Sequence, residues 1–266
     1  MVEIITHPAA AHNARELYAP FITGGGISQL TEGHMKETIY TIPINEVFDL
    51  YDGCPVCRLY GDLERASLEY ILGAAMMEPD VRINTNKQGF CHTHLRKMLA
   101  EKNKLSLALM LESHLPELGA SLFSPASGVA AKDADLKRVR KIAKEADRGC
   151  FVCDRVSVFM GHYYGNIFHL WRKEPDFHEK FNRQPFFCVP HFADLAAQSE
   201  KYLSKKEQAA LIGEMSVICQ AYLVSLNLGI SEFCKSFDYR FAGKSVGERA
   251  QSSSERAAAF LTGARK

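Results

Sequence analysis

Two short cysteine patterns, each used twice, constrain this chain more than any other feature. Cys54-Pro55-Val56-Cys57 is followed by Phe90-Cys91-His92-Thr93-His94, and Cys150-Phe151-Val152-Cys153 by Phe187-Cys188-Val189-Pro190-His191. Thirty-three residues separate Cys57 from Cys91, and thirty-four separate Cys153 from Cys188. Two residues between paired ligands let a tight turn aim both side chains at one ion, and three thiols with one imidazole form a closed zinc set. Metal binding is the chemistry this chain is expected to carry.

Aligning the chain on itself extends the pattern into a repeat. At an offset of 96, Gly149-Cys150 falls on Gly53-Cys54, Glu174-Pro175-Asp176 on Glu78-Pro79-Asp80, and Asn182-Arg183-Gln184 on Asn86-Lys87-Gln88. One inserted residue then brings Phe187-Cys188 onto Phe90-Cys91. The period far exceeds that of a solenoid, so the chain reads as one helical module duplicated. His191 matches His94, which selects His94 over His92 as a ligand. With each repeat self-contained, one site is Cys54, Cys57, Cys91 and His94, and the other is Cys150, Cys153, Cys188 and His191. The expected cofactor is zinc, two per chain.

Each C-x2-C precedes a helical stretch and each C-x2-H opens one, so amide donors and the helix dipole favour thiolate over thiol. Four protein ligands fill a tetrahedral site and leave no position for water, which marks the sites as structural. Two matching sets argue against unliganded buried thiols. Cys54-Pro55-Val56-Cys57 also has the form of a dithiol redox site, but no βαβ pattern surrounds it and Phe151 replaces Pro55 in the repeat. Iron–sulfur ligation uses the same thiols and is not separated from zinc by sequence. His162 and His169, near Phe159, Tyr163, Phe168 and Trp171, offer a pocket in the second repeat only, against the plainer reading of an aromatic core. Cys219 and Cys234 read as packing residues. No nucleophile elbow, phosphate loop or dinucleotide fingerprint is present.

The fold class expected is mostly α: two homologous zinc-stapled helical modules arranged pseudo-symmetrically, with a long C-terminal helix. Residues 1–34 read as a poorly ordered N-terminal extension. Thr31-Glu32-Gly33-His34 can be encoded by purine-rich codons placed like a ribosome-binding site, so part or all of 1–34 is expected to be translated leader before Met35. The first module is 35–118, the linker 119–132, the second module 133–241 and the tail 242–266, which is expected to pack weakly.

Within the first module, Thr38 to Pro43 reads as extended and Asn45 as the cap of a short helix. After Cys57 a helix with Leu63, Ala66, Tyr70, Ala74 and Met77 on one face is expected to end at Glu78-Pro79. A second runs from Cys91–His94 to about Leu115, with Leu95, Met98, Leu99, Leu105, Leu109 and His114 in a stripe, and is ended by Pro116 and Gly119. In the second module, Leu136, Val139, Ile142, Ala143 and Ala146 face a core while the basic residues around them face solvent. Ser204-Lys205-Lys206-Glu207 has capping-box form and opens the long helix. Its stripe runs Leu211, Ile212, Met215, Ile218, Cys219, Tyr222, Leu226, Ile230, Phe233 and Phe237, to about Tyr239.

Composition serves mainly to exclude. A net charge of +1 argues against a chain built as a whole for polyanions, so nucleic acid is an unlikely partner. The N-terminus lacks a secretory pattern, and no window is expected to approach the eighteen or more apolar residues of a membrane span. The eight cysteines, in a long chain without an export signal, are expected to be reduced in the cytoplasm, with six of them metal-bound.

Beyond the cysteines, several runs are distinctive: 36–45, Lys36-Glu37-Thr38-Ile39-Tyr40-Thr41-Ile42-Pro43-Ile44-Asn45; Asp80-Val81-Arg82-Ile83-Asn84-Thr85-Asn86-Lys87; Gly89-Phe90-Cys91; Phe187-Cys188-Val189-Pro190-His191-Phe192; and Phe237-Asp238-Tyr239-Arg240. With Cys54-Pro55-Val56-Cys57 they resemble a bacterial family catalogued as domain-of-unknown-function family 6062, from about Met35 to the C-terminus. The resemblance implies a bacterial cytoplasmic protein and supplies no activity. The chain departs from the pattern in its first 34 residues and after Arg240, where Val246-Gly247 stands in place of Trp-Gly. The function expected is a non-enzymatic binding or regulatory scaffold with a protein partner. The alternative is a redox or metal-dependent enzyme or sensor, with zinc or iron–sulfur on the same cysteines.

Overall fold

The computed structural model describes residues 35–123, 133–238 and 247–263, and it is mostly α-helical with no strand among them. The expected extension 1–34, most of the linker and the start of the tail lie outside the described residues. In chain order the helices are α1 Met35–Phe48, α2 Pro55–Leu72, α3 Pro79–Gln88, α4 His92–Ala100, α5 Lys104–Leu122 and α6 Asp133–Arg148. They continue as α7 Phe151–Lys173, α8 Pro175–Asn182, α9 Val189–Tyr202, α10 Lys205–Lys235, α11 Glu248–Gln251 and α12 Ser253–Thr262.

The chain divides into two compact units that do not coincide with the two repeats. Of the described residues, those of 63–158 build one and those of 35–62 join those of 159–263 in the other. Both boundaries fall inside helices, α2 and α7.

Within Leu63–Val158, Leu63, Ile71, Met98, Leu107 and Met110 are buried. Helix α2 stops at Leu72 and a 3₁₀ turn, Ala74–Met77, follows, which rotates Ala74 and Met77 out of the expected stripe and exposes them. Glu78-Pro79 starts a helix as well as ending one: Pro79 occupies the first turn of α3, where a missing N–H costs nothing. The single long helix expected after His94 is two. Asn103 interrupts it, capping α5 by accepting from the Ser106 N–H and donating to the Leu72 carbonyl at 2.7 Å. The interruption shifts the helical phase beyond it, so Leu107 and Met110 are buried while Leu105 is exposed; Leu99, near the end of α4, is exposed as well. Pro116 lies inside α5, which continues through Gly119 to Leu122. Leu136, expected on the buried side of α6, is exposed.

In the other unit Phe48, Phe177, Phe181 and Phe187 are buried, with ring centroids 4.8 to 6.0 Å apart along the chain of contacts. Burying one such ring contributes about 1.5–3 kcal/mol. That burial explains why residues 38–43, expected as extended, are helical despite Pro43: α1 must present Ile44, Val47 and Phe48 to α8. Asn45 donates back to the Thr41 carbonyl instead of capping a new helix. Gln184, itself buried, donates to the Phe48 carbonyl at 2.7 Å and ties the end of α1 to the turn after α8.

Helix α10 opens with the expected capping box, the Ser204 N–H donating to Glu207 Oε2 at 2.8 Å and the Glu207 N–H to Ser204 Oγ. By length and composition it is apolar enough to cross a membrane, contrary to the expectation that no window approaches a span. One face packs against α9, α11 and α12 through Leu211, Met215, Cys219, Leu226 and Gly229. Ile212, Phe237 and Cys234, expected among the packing residues, are exposed, because the buried stripe is narrower than the apolar one. The tail does not pack weakly where it is described: Phe260 is buried against Phe186 and Tyr222, with centroids at 5.6 and 5.5 Å.

Candidate metal centres

The eight expected ligands form two clusters, but not the two predicted. Cys54 and Cys57 meet Cys188 and His191; Cys91 and His94 meet Cys150 and Cys153. Within each set the ligand atoms all lie within 4.8 Å of one another. Each set therefore takes its C-x2-C from one repeat and its C-x2-H from the other. Along the chain the sets are nested, the first enclosing the second.

Local structure makes either half-site a ready donor pair. Cys54 and Cys150 immediately precede α2 and α7; Cys91 and Cys188 are the N-cap residues of α4 and α9. Both clusters thus sit at the N-terminal ends of two helices, where the dipole stabilises thiolate. His92 is exposed at the start of α4, one turn position away from the buried His94.

Two close backbone approaches assemble the Cys91–Cys153 set. Gly89, at φ +63°, ends α3, and its carbonyl accepts from the Phe151 N–H at 3.0 Å. A Cβ on Gly149 would stand 2.3 Å from the Gln88 carbonyl oxygen, so only glycine brings Cys150 this near Cys91. In the other set Gly263, also at φ +63°, lies against the donors; a Cβ there would be 2.9 Å from Cys188 Sγ.

The separations suit a tetrahedral ion. Bonds of about 2.3 Å to sulfur and 2.0–2.1 Å to nitrogen place sulfurs roughly 3.8 Å apart and sulfur roughly 3.5 Å from nitrogen. In the first set Cys57 and Cys188 Sγ are 3.5 Å apart, and His191 Nδ1 lies 3.6, 3.2 and 3.1 Å from Cys54, Cys57 and Cys188. In the second, Cys91 and Cys153 Sγ are 3.9 Å apart, and His94 Nδ1 lies 3.2, 3.2 and 3.4 Å from Cys91, Cys150 and Cys153. Both histidines present Nδ1 to the thiols. All eight cysteines are free, with no disulfide.

Charge is distributed to receive a cation. Burial opposes ionisation of Cys150, yet hydrogen bonds from His94 and from backbone groups outweigh it and the thiol falls to about 6. Burial also disfavours protonated His94, but its bonds to Cys150 and Glu64 raise it to about 10. Burial pushes Cys153 up. In the other set hydrogen bonds from Cys188 and Cys54 hold Cys57 far below its ordinary value, and burial drives Cys54 well above. At least one thiolate is thus favoured in each cluster before a metal arrives.

The remaining expected residues form no comparable site. His162 is exposed and stacks on Tyr40 at 5.2 Å, while Tyr163, Phe168 and Trp171 belong to the buried core. Cys219 is buried and its thiol donates to the Phe187 carbonyl at 3.3 Å. A cavity of about 530 Å³ lies in the Leu63–Val158 unit, lined by Gly89, Phe90, His114, Leu118 and Ile142 among others. No thiol lines it, His114 Nδ1 is 2.8 Å from the Asn86 carbonyl, and Glu117 pairs with Asn86. Sequence reasoning missed Glu64, whose carboxylate meets His94 Nε2 at 3.0 Å and is held by Lys97. Burial raises its pKa, but His94 and Lys97 outweigh that and keep it below the ordinary range.

A family model, that of the family of unknown function DUF6062, matches residues 35–266. The chain belongs to this family. No curated protein and no solved structure matches it. For this family member, all eight candidate ligands lie inside the matched region.

Proposed function

We propose that this protein is a non-enzymatic helical scaffold whose fold is closed by two structural zinc ions, one on Cys54, Cys57, Cys188 and His191 and one on Cys91, His94, Cys150 and Cys153. The observation that carries the reading is the exchange of half-sites: each metal set joins helix starts from both repeats, so the ions act as cross-links within the fold. Structural zinc in small modules binds with roughly 10–16 kcal/mol of apparent free energy. Four protein donors per set leave no open position for water or substrate, which supports a structural over a catalytic role. Free thiols throughout support a reducing, cytoplasmic setting.

The scaffold's partner, on this reading, is another protein presenting an apolar, uncharged helix to α10. From Met215 to Ser231 that helix carries no charged residue, and Val217, Val224 and Leu228 are 72%, 53% and 62% exposed. A face without charge steers no charged ligand and leaves no charge unpaired when buried.

Elemental analysis of protein from its native host tests the metal reading: about two zinc per chain is expected, and iron with visible colour overturns it. A photocrosslinking residue at Val224 tests the surface. It is expected to trap protein where the same residue at exposed Lys102 does not; equal yields, or lipid adducts at 224, overturn it.

A further inference from the structure

The two donor sets differ in what stands behind the histidine. Nδ1 faces the thiols in both, so Nε2 is the atom that carries the proton once the ring is a neutral ligand. At His94 that position meets Glu64 Oε1 at 3.0 Å, and Lys97 holds the carboxylate from the other side. At His191, which is 0% exposed, Nε2 has no hydrogen-bond partner among the described residues. The asymmetry is written in the repeat: at the offsets of the self-alignment Glu64 becomes Met160 and Lys97 becomes Asp194. Asp194 instead accepts from Tyr164 at 3.1 Å.

A carboxylate on the distal nitrogen fixes the ring's orientation and tautomer and raises its basicity toward a metal. Removing such a partner typically weakens binding by about 10- to 100-fold. A buried N–H left without an acceptor adds a desolvation penalty in the same direction. Burial does not offset this. The Cys54–His191 set is the more enclosed, with Cys54, Cys188 and His191 all buried and Gly263 against the sulfurs. Enclosure slows exchange of an ion but supplies no acceptor for Nε2, so the difference belongs to equilibrium affinity.

We infer that, given the metal reading above, the two centres bind zinc unequally: Cys91, His94, Cys150 and Cys153 form the tight centre, with Glu64 as its positioning residue, and Cys54, Cys57, Cys188 and His191 form the weaker one. Falling zinc then empties the outer centre first, releasing the cross-link between residues 57 and 188 while the inner centre persists. The scaffold responds to the availability of a zinc-class cation through one site only.

Full-length zinc-loaded protein titrated to equilibrium against a chromophoric chelator of known affinity tests this. Two steps separated by about 10- to 100-fold are expected. Cys188→Ser should abolish the weaker step and leave the tighter one. Glu64→Gln should move the tighter step toward the weaker, and Lys97→Met should do so less, since the carboxylate remains. Helical circular dichroism on each variant separates misfolding from weakened binding. A single step for two equivalent ions, or loss of the tighter step in Cys188→Ser, overturns the inference while leaving the metal reading intact. A folded protein that takes up no zinc overturns both.

Discussion

Cys57 Sγ lies 3.5 Å from Cys188 Sγ although the two residues are 131 positions apart, while Cys91, the next cysteine after Cys57, belongs to the other cluster. The longer closure costs little. Each doubling of a loop adds only about 0.6 kcal/mol, so extending one from some thirty residues to some 130 adds about 1.2 kcal/mol, small beside the binding of a structural zinc.

Metal counting in paired substitutions distinguishes the two ways of joining the half-sites. With the exchanged pairing, Cys57→Ser with Cys188→Ser damages one centre and is expected to retain about one zinc per chain. Cys57→Ser with Cys91→Ser damages both and is expected to retain none in stoichiometric amount. Self-contained repeats would reverse the two results.

Gly53 and Gly149 occupy the same place in the two repeats yet differ in surroundings. A Cβ on Gly53 meets nothing within 4 Å, whereas one on Gly149 would strike the Gln88 carbonyl at 2.3 Å. Gly53→Ala is therefore expected to change stability by no more than about 0.5 kcal/mol. Gly149→Ala should cost about 1–3 kcal/mol and weaken zinc binding at the Cys91–Cys153 centre, because backbone must move. Denaturant melts of the two variants check this; equal midpoints would contradict it.

The start of α10 should show its own pH dependence. The Ser204 hydroxyl and backbone N–H lower the pKa of Glu207 below its ordinary 4.5. A depressed carboxylate contributes stability that is present above the unfolded value and lost as pH falls through the folded one. The first turn of α10 is accordingly expected to loosen only below about pH 4.5. Carboxyl NMR titration should place Glu207 below 4.5 in the native protein and return it toward 4.5 in Ser204→Ala; no difference between the two would remove the capping box as the cause.

Much of the helical architecture was legible locally. Cys-x2-His opening a helix and Ser204 with Glu207 are signals contained within four residues, and each stands where spacing put it; Cys-x2-Cys, expected before a helix, has its second cysteine already in the first turn, since the helices start at Pro55 and Phe151. Elements that depend on distant packing were not. The helical state of residues 38–43 follows from burying Phe48 against Phe177, and the break in the helix after His94 follows from Asn103 reaching Leu72.

The same division applies to the metal centres. The amino-acid sequence by itself determined the mostly α class, the family, the eight candidate donors and the choice of His94 over His92 among them, because these rest on local pattern and on self-alignment. Self-alignment identifies which residues are equivalent, and equivalent half-sites with equal spacing can close within a repeat or between repeats. Only the tertiary structure decided between them: the Gly89 carbonyl meeting the Phe151 N–H, and Gly149 passing against Gln88, bring the second C-x2-C to the first C-x2-H. Glu64 behind His94, and no acceptor behind His191 among the described residues, likewise appear only once the helices are packed, since a hydrogen bond across thirty residues leaves no spacing to read.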